Sequence, residues 1–439
     1  MPITARGSLG HSAFRVALAG AVAAAVLLTV RDGPAAATPV RAAAPAMTWR
    51  VLPATAAWSV PVKILNNGTV VGNENEATEP TAPAPLSGGS AWEWSRGRFR
   101  LLGARNAQAS TAFDVSSNGI VAGSVLVPAP GGQIQDVAVR WVAGHPVTVL
   151  PGDTANSWAT AVNTRGDVLV DYQNGPVLVS TDLVTATARY TLLPQLLSST
   201  MQTGISVNSH DEAIVRALGT YATGNDWDWR DGTATAIPDF MSGPGSNVCI
   251  SGITDTGYVA WSTYDSTVQR DQAWVRHDGS DTRLPDRGLW AVVACNPQAV
   301  NDRGDAVGLI GTPGGTLQAV LWHDGTVVPL VTDPLEDSQA IAVNDHDEVV
   351  AEASPAQGGA EQWFLWVAGH RLTLPVPTGF QSVTPIAIND LGQVVGYATR
   401  ENANGLEESS RAVVWTRSRR QRMTGPGDPH PDGRPGTRV

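Results

Sequence analysis

The chain has 439 residues, 42% apolar and only 16% charged, with a net charge of −11. That charge and a pI near 5.2 exclude a body built to wrap nucleic acid, because phosphate contacts need clustered cations. Two cysteines exclude a disulfide-dense scaffold and a multi-cysteine metal site, while fifteen tryptophans in a chain with 6% aromatic residues call for a structural explanation.

At the N-terminus, Arg6, His11 and Arg15 precede an apolar run from Val16 to Val30, shorter than the roughly 20 residues of a spanning helix. Ala/Pro-rich sequence follows, so 1–37 reads as an export signal, with A-x-A cleavage sites after Ala37 or as late as Ala46. An uncleaved anchor is the alternative. Losing 1–37, which carries Arg6, Arg15 and Arg31 against Asp32, takes the net charge to −13. The expected location is secreted, with no membrane span after cleavage.

From residue 47 to 416 one pattern, V-N-D-x-G-x-V-V-G, returns eight times: 64–72, 115–123, 162–170, 207–215, 253–261, 300–308, 343–351 and 388–396. Its turn position is Gly68, Gly119, Gly166, Asp211, Gly257, Gly304, Asp347 and Gly392, at spacings of 43 to 51 residues. Four residues earlier stands a β-branched residue each time, from Ile64 to Ile388, as a packed pleated surface favours. The Asn/Asp-x-x-Gly segment offers side-chain turn bonds and a residue tolerant of positive φ, which is hairpin chemistry. A third strand carries Trp94, Trp141, Trp229, Trp274, Trp322, Trp366 or Trp415, a second tight turn follows, and a fourth strand ends in a residue such as Leu102, Leu284 or Leu374. Four antiparallel strands per unit of this length predict an all-β propeller of eight blades, or seven if the third unit is absorbed, with the repeating Trp packing between blades. The eighth unit lacks a fourth strand, and Trp49-Arg50-Val51-Leu52-Pro53 resembles it; the N-terminal strand is therefore expected to close the ring. The Arg/Gly/Pro-rich tail 417–439 is expected to be disordered.

The closest copies, Val300-Asn301-Asp302-Arg303-Gly304-Asp305-Ala306-Val307-Gly308 and Ile388-Asn389-Asp390-Leu391-Gly392-Gln393-Val394-Val395-Gly396, resemble the HAF-type extracellular repeats. The resemblance covers 47–416. It implies an exported propeller-like repeat protein and no chemistry or catalytic residues. Units three, four and seven depart most, with Asp for Gly in two of them and Val or Ala for the closing Gly in all three.

In such a ring both tight turns of every unit lie on one face. The long connections (73–90, 124–137, 262–272 and 397–411 within units; 103–110, 238–249, 285–297 and 375–384 between them) lie on the other, where binding residues concentrate on a rigid scaffold. That face carries Trp58, Trp158, Trp290 and Phe380, which are outside the repeat phase and suit stacking on a sugar or capture of apolar side chains; packing of the loops is the plainer alternative. His145, His370, His277, His323, His210 and His346 all fall at repeat turns, so a converging triad or metal cluster is not expected. One carboxylate per turn falls short of the oxygens calcium takes, so Asp302, Asp345 and Asp390 read as turn caps, and no metal or other cofactor is expected. Cys249 and Cys295 precede successive turns by eight and nine residues and are expected to form a disulfide between adjacent blades near the axis; two buried free thiols are the alternative. Lys63 and Asp114 read as an inter-blade ion pair or a channel ligand pair, and Glu74, Glu76 and Glu79 as a solvated acidic loop. The function expected is a secreted, monomeric, non-enzymatic binding or scaffold propeller. Its partner would be a cell-wall or extracellular glycan or an envelope protein on the long-loop face. The alternative is an extracellular polysaccharide hydrolase or lyase, although the loops offer only the scattered Asp153, Asp239, Asp286 and Asp333.

Overall fold

Each repeat folds as an antiparallel sheet whose innermost strand runs to the β-branched residue ahead of the turn. The computed structural model describes residues 47–76, 89–149, 156–174, 178–185, 187–191, 201–218, 224–237 and 249–418; the signal region and most of the tail lie outside them. Eight such sheets of four strands stand in a ring, from blade one (Trp58–Ile64, Val70–Asn75, Ser90–Ser95, Arg98–Leu102) to blade eight. Blade eight takes three strands from the end of the chain (Ser382–Ile388, Val394–Glu401, Glu407–Arg417) and its outermost from the beginning, Met47–Val51, in a register running from Met47–Arg417 to Val51–Val413. The ring therefore closes as the sequence suggests, through the N-terminal strand. Arg417 belongs to that last strand and pairs with Glu348 at 2.6 Å, so the sheet runs past the expected boundary at 416.

The two turns of a blade use different devices. The outer one is a two-residue turn with both φ angles positive, such as Ala143 (+51) with Gly144 (+79), which matches the twist of its strands. The inner one closes with a single residue at positive φ, and Asp211 (+64) and Asp347 (+57) adopt it where glycine is missing. The asparagine that opens this inner turn has two roles. Asn163 Oδ1 accepts the N–H groups of Arg165 and Asp167, both at 3.0 Å, while its Nδ2 donates to Asn208 O of the next blade at 3.0 Å. Asn208 reaches Thr254 O, Asn301 reaches Asn344 O, Asn344 reaches Asn389 O (2.9 Å), and Asn389 reaches Leu65 O (2.8 Å), back in blade one. Blades two and five, with Ser116 and Thr254 at that position, make the reach two residues later through Asn118 and Thr256. The turn aspartates also act between blades: Asp345 accepts the Asp302 N–H at 3.0 Å, and Asp390 accepts that of Asp345 at 3.1 Å.

The innermost strands share a bulge. Register shifts between Pro61 and Lys63, Ala112 and Asp114, Ala159 and Ala161, Gly204 and Ser206, Ala340 and Ala342, and Pro385 and Ala387, leaving one residue unpaired each time. The closing glycine of the motif faces this bulge: a Cβ would lie 1.9 Å from Thr111 O at Gly123 and 2.2 Å from Thr384 O at Gly396. In blade four the glycine has moved to the facing strand, Gly204 opposite Val215.

The repeating tryptophan is only partly as expected. Trp141, Trp322 and Trp415 are buried and donate their indole N–H to Gly103 O, Pro285 O and Pro375 O, the residue after the leucine that ends the preceding blade. Trp229 is buried, but Trp94, Trp274 and Trp366 are only half-buried; in blades one and five Trp92 and Trp261 occupy the core instead. Replacing Asn344 by Ala leaves the His346 and Glu348 N–H groups and Asn389 O without their partner. We expect a loss of about 3 kcal/mol in guanidinium unfolding, against less than about 0.5 kcal/mol for Asn404→Ala, whose turn is exposed.

Candidate functional site

Of the six residues left out of register by the bulges, Ile341 packs against the core shared by blades seven and eight. The other five, Val62, Phe113, Thr160, Ile205 and Ile386, line a cavity of about 350 Å³ that opens among the inner turns. Lys63 and Asp114 meet there at 3.5 Å as an inter-blade ion pair, and Asp114 also accepts the Val162 N–H. The cavity rim is neutral at Asn66, Ser117 and Thr164 and acidic at Asp255, Asp302, Asp345 and Asp390. Burial raises the Asp345 pKa, the Asp302 N–H opposes that rise, and the neighbouring Asp302 and Asp390 charges add to it. On the far side Asn296, Pro297 and Gln298 enter the cavity wall. They follow Cys295, which forms the disulfide with Cys249 at a Cα separation of 4.6 Å. The cysteine spacing suggests that Cys295 begins an innermost strand, but it lies beyond Ala291–Val293, where the chain leaves the sheet.

The turn histidines do come together with acids at one place. His323, Asp305 and Asp347 bring three ligand-type atoms within 4.8 Å of one another, because the blade-six turns and the blade-seven inner turn adjoin. The positive charge between the two carboxylates is Arg303, which pairs with Asp305 at 3.2 Å and with Asp347. Burial opposes ionisation of both carboxyls. Hydrogen bonds from Asp347 and Arg303 and the charge of His323 nevertheless hold Asp305 below its ordinary value, whereas burial and the Asp305 carboxylate hold Asp347 above. Arg165, Asp167 and Asp211 repeat the arrangement three blades earlier.

On the opposite face the connections are shorter than the sequence suggests, since strands Val121–Pro128 and Ile134–Val142 run on and leave only 129–133 between them. Trp58, Trp158, Trp290 and Phe380 all stand at or just before the entry to an innermost strand, in blades one, three, six and eight, and each is half-buried. Trp290 covers Gly311 of its own blade and also packs on the cluster it shares with blade five. Phe380 lies under the Arg400 guanidinium at 5.1 Å and packs against the blade-seven core, and Trp158 reaches Asp136 of blade two. Around them the loop tips expose Ile134 (54%), Val268 (44%), Leu335 (68%), Val376 (44%) and Leu406 (64%).

The acidic residues divide differently from the sequence reading. Glu74 is buried and accepts the Thr55 N–H at 3.0 Å, so it belongs to the fold rather than to a solvated loop; Glu79, Asp153 and Asp239 lie outside the described residues. Asp333 caps the Leu335 N–H, and Asp286 is paired with Arg283 and Arg270. Nothing in the repeat pattern singles out Glu352, on the second strand of blade seven opposite Trp363. Burial, then the Glu361 charge and its hydrogen bond, push the Glu352 carboxyl up to about 7. Asp171, buried between blades three and four, is pushed up to about 6 by desolvation, against hydrogen bonds from Thr181 Oγ1 (2.7 Å), Thr203 and the Gly204 N–H (3.0 Å). Both partnerships cross strands or blades, so no local spacing announces them.

No protein-family model matches the chain, and no curated protein matches it significantly. Among solved structures it is similar to the β-propeller domain of the Trilobed protease from Pyrococcus furiosus (11% identity, TM-score 0.39, 73% of this chain and 98% of that one). It is also similar to a prolyl endopeptidase (11%, 0.45, 78% and 55%) and to the SapL1 lectin in complex with alpha methyl fucoside (11%, 0.30, 73% and 97%). The chain spans about half the length of that endopeptidase, and at this similarity nothing about activity transfers.

Because the folded-state pKa of Glu352 lies above its unfolded value, the protonated carboxyl favours the fold. Its contribution is complete below about pH 4.5 and is lost as pH rises through about 7. Glu352→Gln should remove that dependence, so that the melting temperature falls less than in the parent protein between about pH 5 and about pH 8; equal slopes in both proteins would refute the coupling of Glu352 to folding.

Proposed function

We propose that the chain is an exported, non-enzymatic binding propeller whose partner, an extracellular glycan or an envelope protein, docks on the long-loop face. One contrast carries this reading. On the turn face the polar side chains are taken up by inter-blade hydrogen bonds such as those of Asn301, Asn344, Asn389, Asp345 and Asp390. The long-loop face presents exposed apolar loop tips beside half-buried aromatic rings. Aromatic edges and faces supply contact area for sugar rings and apolar side chains at low cost in side-chain entropy. The disulfide is compatible with an oxidising compartment, and the resemblance to extracellular repeats agrees with export.

The carboxyl pair Glu352 and Glu361 favours a second reading, an extracellular polysaccharide hydrolase or lyase, since a carboxyl raised by burial beside a second carboxyl is what such chemistry needs. Both readings meet one assay. The purified chain is mixed with a panel of insoluble polysaccharides and cell-wall fractions, and the amount left in solution is measured. We expect depletion by at least one polymer, abolished in the Trp158→Ala/Trp290→Ala double variant and retained in Leu391→Ala on the turn face. No depletion across the panel would exclude the glycan and leave the protein partner. Release of soluble sugar that Glu352→Gln abolishes would establish the enzyme.

A further inference from the structure

In blade six the innermost strand departs from the common bulge. The Ala294 N–H donates to Val307 O and the Val307 N–H donates to Ala299 O, at 2.9 and 2.8 Å, so Cys295–Gln298 is pinched out of the sheet as a four-residue loop. This loop reaches three other blades. Pro297 O accepts the Gly252 N–H of blade five (3.1 Å), and Gln298 O accepts the Val343 N–H of blade seven (2.9 Å). Asn296 Nδ2 donates to Ile386 O of blade eight (3.1 Å), and the Gln298 amide pairs with both the carbonyl and the N–H of Ile388 (2.9 and 3.0 Å). Blade eight is not a neighbour of blade six, so these bonds require the loop to lie across the axial channel. Apart from Ala299 at its root, the loop buries no apolar side chain: Cys295 and Pro297 are exposed, and Asn296 and Gln298 are half-exposed. Only hydrogen bonds and the covalent link to Cys249, itself 3% exposed in the wall between blades five and six, hold it there.

We propose that Cys249–Cys295 is a redox latch that, while oxidised, keeps Cys295–Gln298 across the channel and, once reduced by a dithiol, lets the loop swing out and opens the channel toward blades seven and eight. Exposure makes the Cys295 sulfur the one a thiolate attacks; the S–S bond breaks, Cys249 leaves as a thiolate and takes up a proton. The second thiol of the reductant then displaces Cys295. The protein gains two electrons and two protons as two thiols, and the dithiol becomes a disulfide. Freed of its tether to blade five, the loop regains conformational entropy that its part-buried hydrogen bonds must then oppose alone. Opening uncovers Ile386 O and both backbone groups of Ile388, enlarging the axial cavity.

The test is hydrogen–deuterium exchange of the intact chain before and after dithiothreitol, with thiols counted without denaturant. The expected result is two thiols and exchange about tenfold faster or more at Val343 and Ile388, with Gly166 and Asp167 in blade three unchanged. Cys295→Ser, which removes the link without reductant, should give the same pattern. Three results would overturn the latch: no thiols released from the folded ring, thiols released with Val343 and Ile388 still protected, or faster exchange throughout the ring, which would make the bond a general staple of the fold.

Discussion

The ring depends on one side-chain amide used twice. An asparagine that only closed its own turn would leave eight independent sheets held by apolar faces. Because Oδ1 organises the local turn while Nδ2 donates to the next blade's carbonyl, fixing one turn also fixes the angle to its neighbour. The buried amide has little freedom to do otherwise, since an unmet donor in that setting costs free energy. The bulge facing the closing glycine, and the tryptophan that donates to the residue after the preceding blade's last leucine, add further contacts at some of the joints.

Departures from the repeat become intelligible at those joints. Asp211 and Asp347 replace glycine at a positive φ, a strained choice in isolation. Each follows a unit that reads Arg-Gly-Asp, Arg165-Gly166-Asp167 and Arg303-Gly304-Asp305, and each accepts an ion pair from that arginine. The carboxylate matches the cation presented by the preceding blade, so the replacement belongs to a pair of units rather than to one. Arg303, itself exposed, pairs with both acids.

Blade number, ring closure through Met47–Val51, the Lys63–Asp114 pair and the Cys249–Cys295 link were all legible, because each follows from the repeat period or from a position that breaks it. The reach of Asn163 or Asn344 into the next blade was not: its acceptor is a main-chain carbonyl, which leaves no trace in residue identity. The blade-six loop was hidden for another reason. The spacing from Gly257 to Gly304 is 47 residues, no longer than between other units, so extra residues at the bulge are masked by shorter connections. The Glu352–Glu361 partnership joins a strand to the loop beyond it, and its proton affinity comes from burial that no pattern of letters encodes. For Trp58, Trp158, Trp290 and Phe380, the break in repeat phase marked the residues, whereas their places at the entries to innermost strands came only from the structure.

Closure of blade eight by the first strand also has a temporal side. Thr48 bonds to Thr416, 368 residues away, so the earliest strand to be made waits for the last before it has a partner. Until then the Glu407–Arg417 edge is an open template and the blade-one core is uncovered, which makes the nearly complete arc the species most prone to pair with another chain. Bringing two such distant ends together is slow, but the cost of closure grows only logarithmically with chain length. Met47 faces Arg417, so both termini leave the five-residue antiparallel ladder at the same end, and force applied between them would peel its hydrogen bonds apart one after another instead of shearing them together.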